Sequence, residues 1–202
     1  MEKNLISMSK MERLKIRKAL RKDCKEIMRL VHELADFEKL PEYVNISHRD
    51  LERDGFETDH PLFGCYVVET QVDDNELGKD GVELGSVEEN AADGDGDGRS
   101  RLVGYALYYQ RYSTWNGVSL HLEDLYVSPR FRQQGVGRAL FKQVAKECVA
   151  LGCRQLDFEV LNWNPARKFY EKLGSVNRTE NGGWHSYRLA GEALQRLGDG
   201  DS

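Results

Sequence analysis

The chain has 202 residues, 40% of them apolar and 31% charged, which suits one domain with a sizeable core better than two. No run of 18 apolar residues occurs, and the first twenty residues alternate Lys with single apolar residues, so neither a membrane span nor a secretory signal is expected. The net charge of −5 is uneven: residues 71–100 hold ten acidic residues against Lys79 and Arg99, a balance of −8 that leaves +3 elsewhere, and the remainder lacks the basic density of a nucleic-acid binder.

Leu14 to Arg17 is a short alternating run. Asp23 can cap a helix to which Glu26 bonds back, and Ile27, Leu30, Val31 and Leu34 then recur at helical spacing, which predicts an amphipathic helix from Asp23 to about Glu38. Ser47-His48-Arg49-Asp50 repeats the capping pattern before a shorter helix that Gly55 is expected to end. Gly64 to Thr70 and Leu102 to Gln110, rich in Val, Tyr and Leu, read as neighbouring antiparallel strands. The acidic insert between them is too poor in large apolar residues to offset its ordering entropy and reads as a disordered loop within a single domain of residues 12–197. Its Asp93-Gly94-Asp95-Gly96-Asp97-Gly98 run resembles the start of a calcium loop, but the twelfth position is Gly104 and no helices flank it. A −8 segment could still concentrate cationic ligands, an effect that salt would abolish.

Ser119 to Val127 is the next strand, and Gly135 to Leu151 a long helix with Val136, Leu140, Val144 and Cys148 at four-residue steps and Gly152 as its stop. Gln155 to Leu161 follows as a strand, Pro165 opens a helix running through Phe169, Tyr170 and Leu173 to Gly174, and Trp184 to Leu189 forms a last strand. That order predicts a mixed α/β sheet with a parallel crossover near its end.

Cys24, Cys65, Cys148 and Cys153 contain no C-x-x-C, and His32, His48, His60, His121 and His185 are dispersed with no pair at ligand spacing, so no metal is expected. Four scattered thiols suit a reducing, cytoplasmic compartment. No Ser or Cys lies in a G-x-S-x-G elbow, which argues against a covalent acyl-enzyme. The sharpest feature is Arg130-Phe131-Arg132-Gln133-Gln134-Gly135-Val136-Gly137, between a strand and a long helix. Its glycines admit close approach of a ligand, and the helix's free N–H groups favour anionic oxygens: this is the pattern of a pyrophosphate cradle.

Arg132-x-x-Gly135-x-Gly137 after Leu122-Glu123-Asp124-Leu125-Tyr126-Val127, then Asn164 and Phe169-Tyr170-Glu171-Lys172-Leu173-Gly174, resembles the GCN5-related N-acetyltransferase superfamily. Within it, Tyr108-Tyr109, Trp115 and Gly182-Gly183-Trp184 are similar to the diamine (spermidine/spermine) acetyltransferases and their thialysine-acetylating relatives. The resemblance covers roughly Leu14 to Leu197 apart from the insert. It implies a central mixed, mostly antiparallel sheet with a splayed parallel strand pair and flanking helices. It implies acetyl-CoA as donor, with the backbone of Leu125, Tyr126 and Val127 pairing with the pantetheine arm, Asn164 a partner for a pantetheine amide, and Arg132, Gln133, Gln134, Gly135, Val136 and Gly137 around the pyrophosphate. It also implies a homodimer.

A primary amine of pKa near 10.4 is protonated at neutral pH, and freeing its lone pair costs about 4 to 5 kcal/mol. By resemblance Glu123 is the general base, through water, and Tyr170 is the acid for the leaving thiolate, since the ordinary pKa of a tyrosine hydroxyl, about 10, is close to that of a thiol, about 8.5. Strand alternation places Asp124 on the face opposite Glu123, so the two are not expected to form a coupled carboxylate pair. The resemblance implies an acceptor site of Phe37, Glu38, Trp115, Glu123, Asp124 and Trp184, in which Glu38 and Trp184 match acceptor-contacting positions of the relatives, Phe37 stands where a tyrosine is common, and nearby Ser113 stands where spermidine acetyltransferases carry an aspartate. The implied reaction is direct transfer of acetyl from acetyl-CoA to a small diamine, polyamine or thialysine-like cation. A protein lysine or N-terminus as acceptor, and a catalytically silent acyl-CoA-binding module, stand beside it as alternatives.

Overall fold

The alternating Leu14-Lys15-Ile16 run forms edge strand β1 (Leu14–Lys18), which pairs antiparallel with β2 (Gly64–Gln71). The structure, a computed structural model, describes residues 14–71 and 100–199. The expected disordered insert and its calcium-like run therefore lie outside the described residues, except that Gln71 and Ser100 are strand ends. β3 (Ser100–Ser113) and β4 (Gly117–Val127) continue the sheet as a long antiparallel hairpin, and β5 (Leu156–Asp157) adds to β4 in parallel, giving the order β1-β2-β3-β4-β5. This is the mixed, mostly antiparallel sheet with one parallel pair that the sequence predicts.

Helices cover both faces. α1 (Cys24–Glu38) and α2 (His48–Phe56) bury Cys24, Ile27, Leu30 and Leu51 against Val67, Leu102, Tyr105 and Tyr126. On the other face α3 (Val136–Ala150) buries the predicted four-residue stripe of Val136, Leu140, Val144 and Cys148 against Val68, Ala106, Tyr108, Leu120, Leu122 and Val127. A strand buried on both faces loses its polar–apolar alternation, and Ser119 to Leu122 are accordingly buried without a break.

Local details depart from expectation. The Asp23 carboxylate does not cap α1: it accepts from Leu20 N–H (2.7 Å) and is held by the Arg17 guanidinium (2.6 and 3.0 Å), which outcompetes the helix terminus for it. The second cap is as predicted, with Ser47 N–H donating to Asp50 Oδ2 (2.9 Å) and the Asp50 carboxyl held down at about 2 by its bonds to Ser47 and Arg53. Gly55 does not end α2. It lies within the helix because the Phe63 ring packs where a side chain would stand, 2.4 Å from an ideal Cβ.

The described residues fall into two compact units that divide between Phe158 and Glu159. The second contains α4 (Ala166–Lys172), α5 (Arg178–Gly182) and α6 (Gly191–Asp199). Two predicted strands are corrected here. Of Gln155 to Leu161 only Leu156–Asp157 is strand, since pairing with β4 stops at His121 opposite Asp157. Trp184 to Leu189 is irregular and exposed throughout: an alternating pattern makes a strand only where a neighbour takes up its N–H and C=O groups, and none of the described strands pairs with it.

Candidate active site

The geometry of the site starts from an irregularity in β4. In the register with β3, Asp124 lies opposite Leu107 and Leu122 opposite Tyr108, so Glu123 is an extra residue with no partner of its own. The bulge shifts the parity of the strand. Leu120 and Leu122 before it and Val127 after it all pack on the α3 face, whereas Tyr126 joins the α1 face. Asp124 follows Tyr126 to that face, where its Oδ2 accepts from the Tyr105 hydroxyl (2.9 Å). The expectation from simple alternation, that Glu123 and Asp124 point apart and are uncoupled, is therefore wrong: the Glu123 charge is among the causes that raise the Asp124 carboxyl.

Asp124 is pushed up to about 6, chiefly by burial, against the lowering bond from Tyr105 and with help from Glu123 and Glu38. Glu38, at the C-terminal end of α1, is itself raised by burial and acts electrostatically on both Asp124 and Tyr105. Glu123 is half-exposed. Three carboxylates thus share one side of the sheet with little cationic compensation, an arrangement that favours binding a cation.

Beyond the bulge, Leu125, Tyr126 and Val127 remain paired with β3, but no described strand pairs with their other edge, because β5 ends at Asp157. This is the splay, and it exposes extended backbone that an amide-bearing chain can bond. Glu33 of α1 fixes the end of this edge: its Oε2 accepts from the hydroxyls of Tyr126 (3.2 Å) and Ser128 (2.8 Å), while Arg29 pairs with its other oxygen.

The cradle follows directly. After a turn at Pro129–Phe131, Gln133 and Gly135 both take left-handed backbone, φ 61° and 84°. A Cβ at Gly135 would meet nothing within 4 Å, so the glycine serves the backbone turn and an open approach. No side chain caps α3, and its first internal bond is Ala139 N–H to Gly135 O (3.0 Å), so the N–H groups of Val136, Gly137 and Arg138 have no helical acceptor. A left-handed turn running into an uncapped helix fits a pyrophosphate. Arg132 plays a different part from the one sequence suggests: its Nε donates to Val127 O (2.7 Å), and its guanidinium lies 4.8 Å from the Phe37 ring and 5.2 Å from the Tyr126 ring. It clamps the loop to β4 and gives Phe37 a partner within the protein. Gln134 Nε2 donates to Arg130 O (3.0 Å).

The remaining predicted residues lie elsewhere. Trp115 is exposed in the β3–β4 turn, where Ser113 Oγ accepts from Trp115 and Asn116 N–H (3.2 Å each). Asn164, Tyr170 and Trp184 belong to the second unit. Asn164 Oδ1 accepts from Ala166 N–H at the start of α4 (2.9 Å), Tyr170 is buried with the Phe169 ring edge-on at 5.0 Å, and Trp184 carries the Arg178 guanidinium over its ring at 4.9 Å. Sequence reading missed His121, dismissed with the dispersed histidines. It is buried, and its Nε2 lies 3.6 Å from Glu123 Oε2; period-2 spacing on a strand was the signal that could have found it.

Among the described residues no group of three or more His, Cys, Asp or Glu is placed to hold a metal, and no helix is long and apolar enough to cross a membrane. Burial pushes the Cys24 thiol up to about 11 and raises Cys65 and Cys148 as well, leaving these three poor nucleophiles. A polar hollow lined by Lys15, Arg17, Asp23, Glu26 and Glu69 lies beside β1, and the Arg17 pairs with Asp23 and Glu69 (2.6 Å each) occupy it.

Residues 31–175 match the model of the Acetyltransferase (GNAT) family. The chain is 41% identical over 184 residues to thialysine N-epsilon-acetyltransferase of Mus musculus, covering 91% of this chain and 96% of that one. It is 32% identical to spermidine/spermine N(1)-acetyltransferase-like protein 1 of Homo sapiens, over 91% of this chain and 24% of the other. Among solved structures, it is similar to an integron cassette protein from the mobile metagenome of V. cholerae (TM-score 0.61, 20% identity, 92% of this chain and 97% of that one). It is also similar to AAC(6')-Iy in complex with the bisubstrate analogue CoA-S-monomethyl-acetylneamine (TM-score 0.56, 19% identity, 87% and 99%).

Proposed function

This chain belongs to the Acetyltransferase (GNAT) family and is an acetyl-CoA-dependent amine N-acetyltransferase, and from that premise we propose that its acceptor is a small cation of the thialysine, diamine or polyamine type. The observation that carries the reading is the β4 bulge, which groups Glu123 and Asp124 on the side of the sheet that Glu38 also acts on. The raised carboxyls of Glu38 and Asp124 are stabilised by an incoming ammonium, and the half-exposed Glu123 carboxylate beside them can take its proton.

When bound, acetyl-CoA supplies an acetyl group activated as a thioester. The backbone edge of Leu125 to Val127 holds its pantetheine arm, and the N–H groups of Gln133 to Gly137 hold its pyrophosphate. Through water, Glu123 accepts a proton from the acceptor ammonium and frees the nitrogen lone pair; the C–N bond forms, the C–S bond breaks and Tyr170 gives the departing thiolate its proton, while the second proton shed by the acylated nitrogen restores Tyr170 through solvent, so that one net proton leaves by way of Glu123. Asp124 and Glu38 hold the cation without reacting. The raised, buried thiols of Cys24, Cys65 and Cys148 support direct transfer over an acyl-enzyme on these three. Four free cysteines support a reducing, cytoplasmic setting. A homodimer completes the reading by family likeness, and light scattering on the purified chain tests it.

The deciding measurement is thiol release from acetyl-CoA against thialysine, lysine, putrescine, spermidine, spermine and a histone-tail peptide. Turnover on the small cations, with thialysine ahead of spermine by selectivity constant, is expected. Turnover confined to the peptide would assign a protein acceptor, and CoA binding without turnover on any of them would leave a binding module.

A further inference from the structure

His121 is nearly sealed from solvent, its side chain 6% exposed, and lies in the middle of three strands that bring charged groups to it from both sides. From β3, Arg111 approaches its Nδ1 at 3.0 Å. From β5, Asp157 stands in register with it and lies 3.9 Å from the same Arg111 nitrogen; Gln155 donates to Asp157 (2.7 Å), and Asn116 donates to Gln155 (2.8 Å). The Tyr109 ring covers the imidazole, with centroids 5.0 Å apart. Along β4 itself, Glu123 Oε2 is 3.6 Å from His121 Nε2.

The hydrogen-bond chemistry of this chain of groups has a direction. A guanidinium has donors and no acceptor, so the nitrogen facing Arg111 must present its lone pair, and the imidazole proton is carried by Nε2, which faces Glu123. At 3.6 Å the N–H and the carboxylate are just outside hydrogen-bond range, the separation that catalytic pairs show before the substrate closes the site. Glu123 is the unpaired residue of the bulge, so the ladder does not fix its orientation; an N–H anchored in the sheet can.

We propose that His121 is a positioning residue for acetyl transfer: held by Arg111 as the tautomer protonated on Nε2, it donates to one oxygen of Glu123 and turns the other toward the acceptor amine. It keeps its own proton throughout. The proposal rests on the reading of Glu123 as the base.

Three substitutions separate this role from packing. His121→Gln places an amide N–H near the Nε2 position, His121→Asn keeps a partner for Arg111 but cannot reach Glu123, and His121→Phe keeps the ring against Tyr109 and removes both contacts. Steady-state kinetics with acetyl-CoA and thialysine or spermidine are expected to show kcat lowered about tenfold for Asn and Phe, with Gln within about threefold of wild type and KM for acetyl-CoA little changed in all three. In a Glu123→Gln background, read by single turnover at enzyme excess, His121→Phe is expected to add no further loss. Equal impairment of Gln and Asn, a wild-type kcat for Phe, or an undiminished Phe effect in the Glu123→Gln background would each overturn the proposal. A Glu123→Gln enzyme that turns over like wild type would instead remove the base itself.

Discussion

The two units of this chain are built on different terms. Residues up to Phe158 bury both faces of a sheet, and the groups proposed to hold and deprotonate an amine stand directly on it: Asp124 against buried Tyr105, Glu123 beside buried His121, and the cradle clamped to β4 through Arg132. Beyond Glu159, Tyr170 alone among the described residues is buried, and the contacts there include side-chain bonds from Asn164 and Asn177 to helix-start N–H groups and an Arg167–Glu180 ion pair. Fixed charges are effective in catalysis when their supports do not have to reorganise, so the buried sheet gives its carboxylates the support that the proposed reaction asks of them.

The largest effect expected of that division is at Glu123. Glu123→Gln should lower kcat by about 10² or more on the preferred amine, with recovery at alkaline pH, where the acceptor loses its proton unaided. A drop that is uniform across pH would move the base out of the first unit and collapse the contrast. Stability should be just as lopsided. Leu140→Ala, at a fully buried position in α3, should cost roughly 2 to 5 kcal/mol, whereas Leu197→Ala, exposed in α6, should stay within about 0.5 kcal/mol. Denaturant titration of both compares the units directly, and equal costs would show that the second is as firmly built as the first.

Asp124 sharpens the comparison through pH. Its carboxyl is raised from 3.8 to about 6, so between these values the native state binds the proton that the unfolded chain has already lost, and stability falls as pH rises. The penalty is absent below about pH 4 and complete above about pH 6, at most roughly 3 kcal/mol for a shift of this size. Asp124→Asn keeps an acceptor for Tyr105 and should therefore stabilise the protein at pH 7.5, with the gain vanishing toward pH 4. A gain that does not change with pH would mean that packing, and not a buried charge, is responsible.

Much of this was legible in the sequence, for identifiable reasons. Val136, Leu140, Val144 and Cys148 announce α3 because a helix buried on one face needs that spacing, and Gly135-Val136-Gly137 announces the cradle because left-handed backbone selects glycine. The bulge was not legible. Neither Leu122, Glu123 nor Asp124 is a residue that bulges demand, and without the bulge the strand period puts Asp124 on the wrong face. Arg132 was found for its charge and turned out to bond a carbonyl and stack on two rings, because a motif gives a residue's place but not its partner. The strand expected over Trp184 to Leu189 failed because pattern registers alternation, while a strand also needs a neighbour to bond.

Tyr170 is the smallest and most discriminating test. Its hydroxyl is the acid in the proposed reaction, yet it is also the one buried side chain among the described residues of its unit, so a packing role and a chemical role compete for it. Tyr170→Phe keeps the ring and its edge-on contact with Phe169 and removes only the hydroxyl. If the hydroxyl protonates the leaving thiolate, kcat should fall about tenfold or more while the affinity for CoA, read by calorimetry, stays within a few-fold, since a proton given during bond breaking is not part of ground-state binding. Parallel losses in kcat and CoA affinity would instead give Tyr170 to packing. The second unit would then bind without reacting, and all the proton transfers would fall to the groups on the sheet.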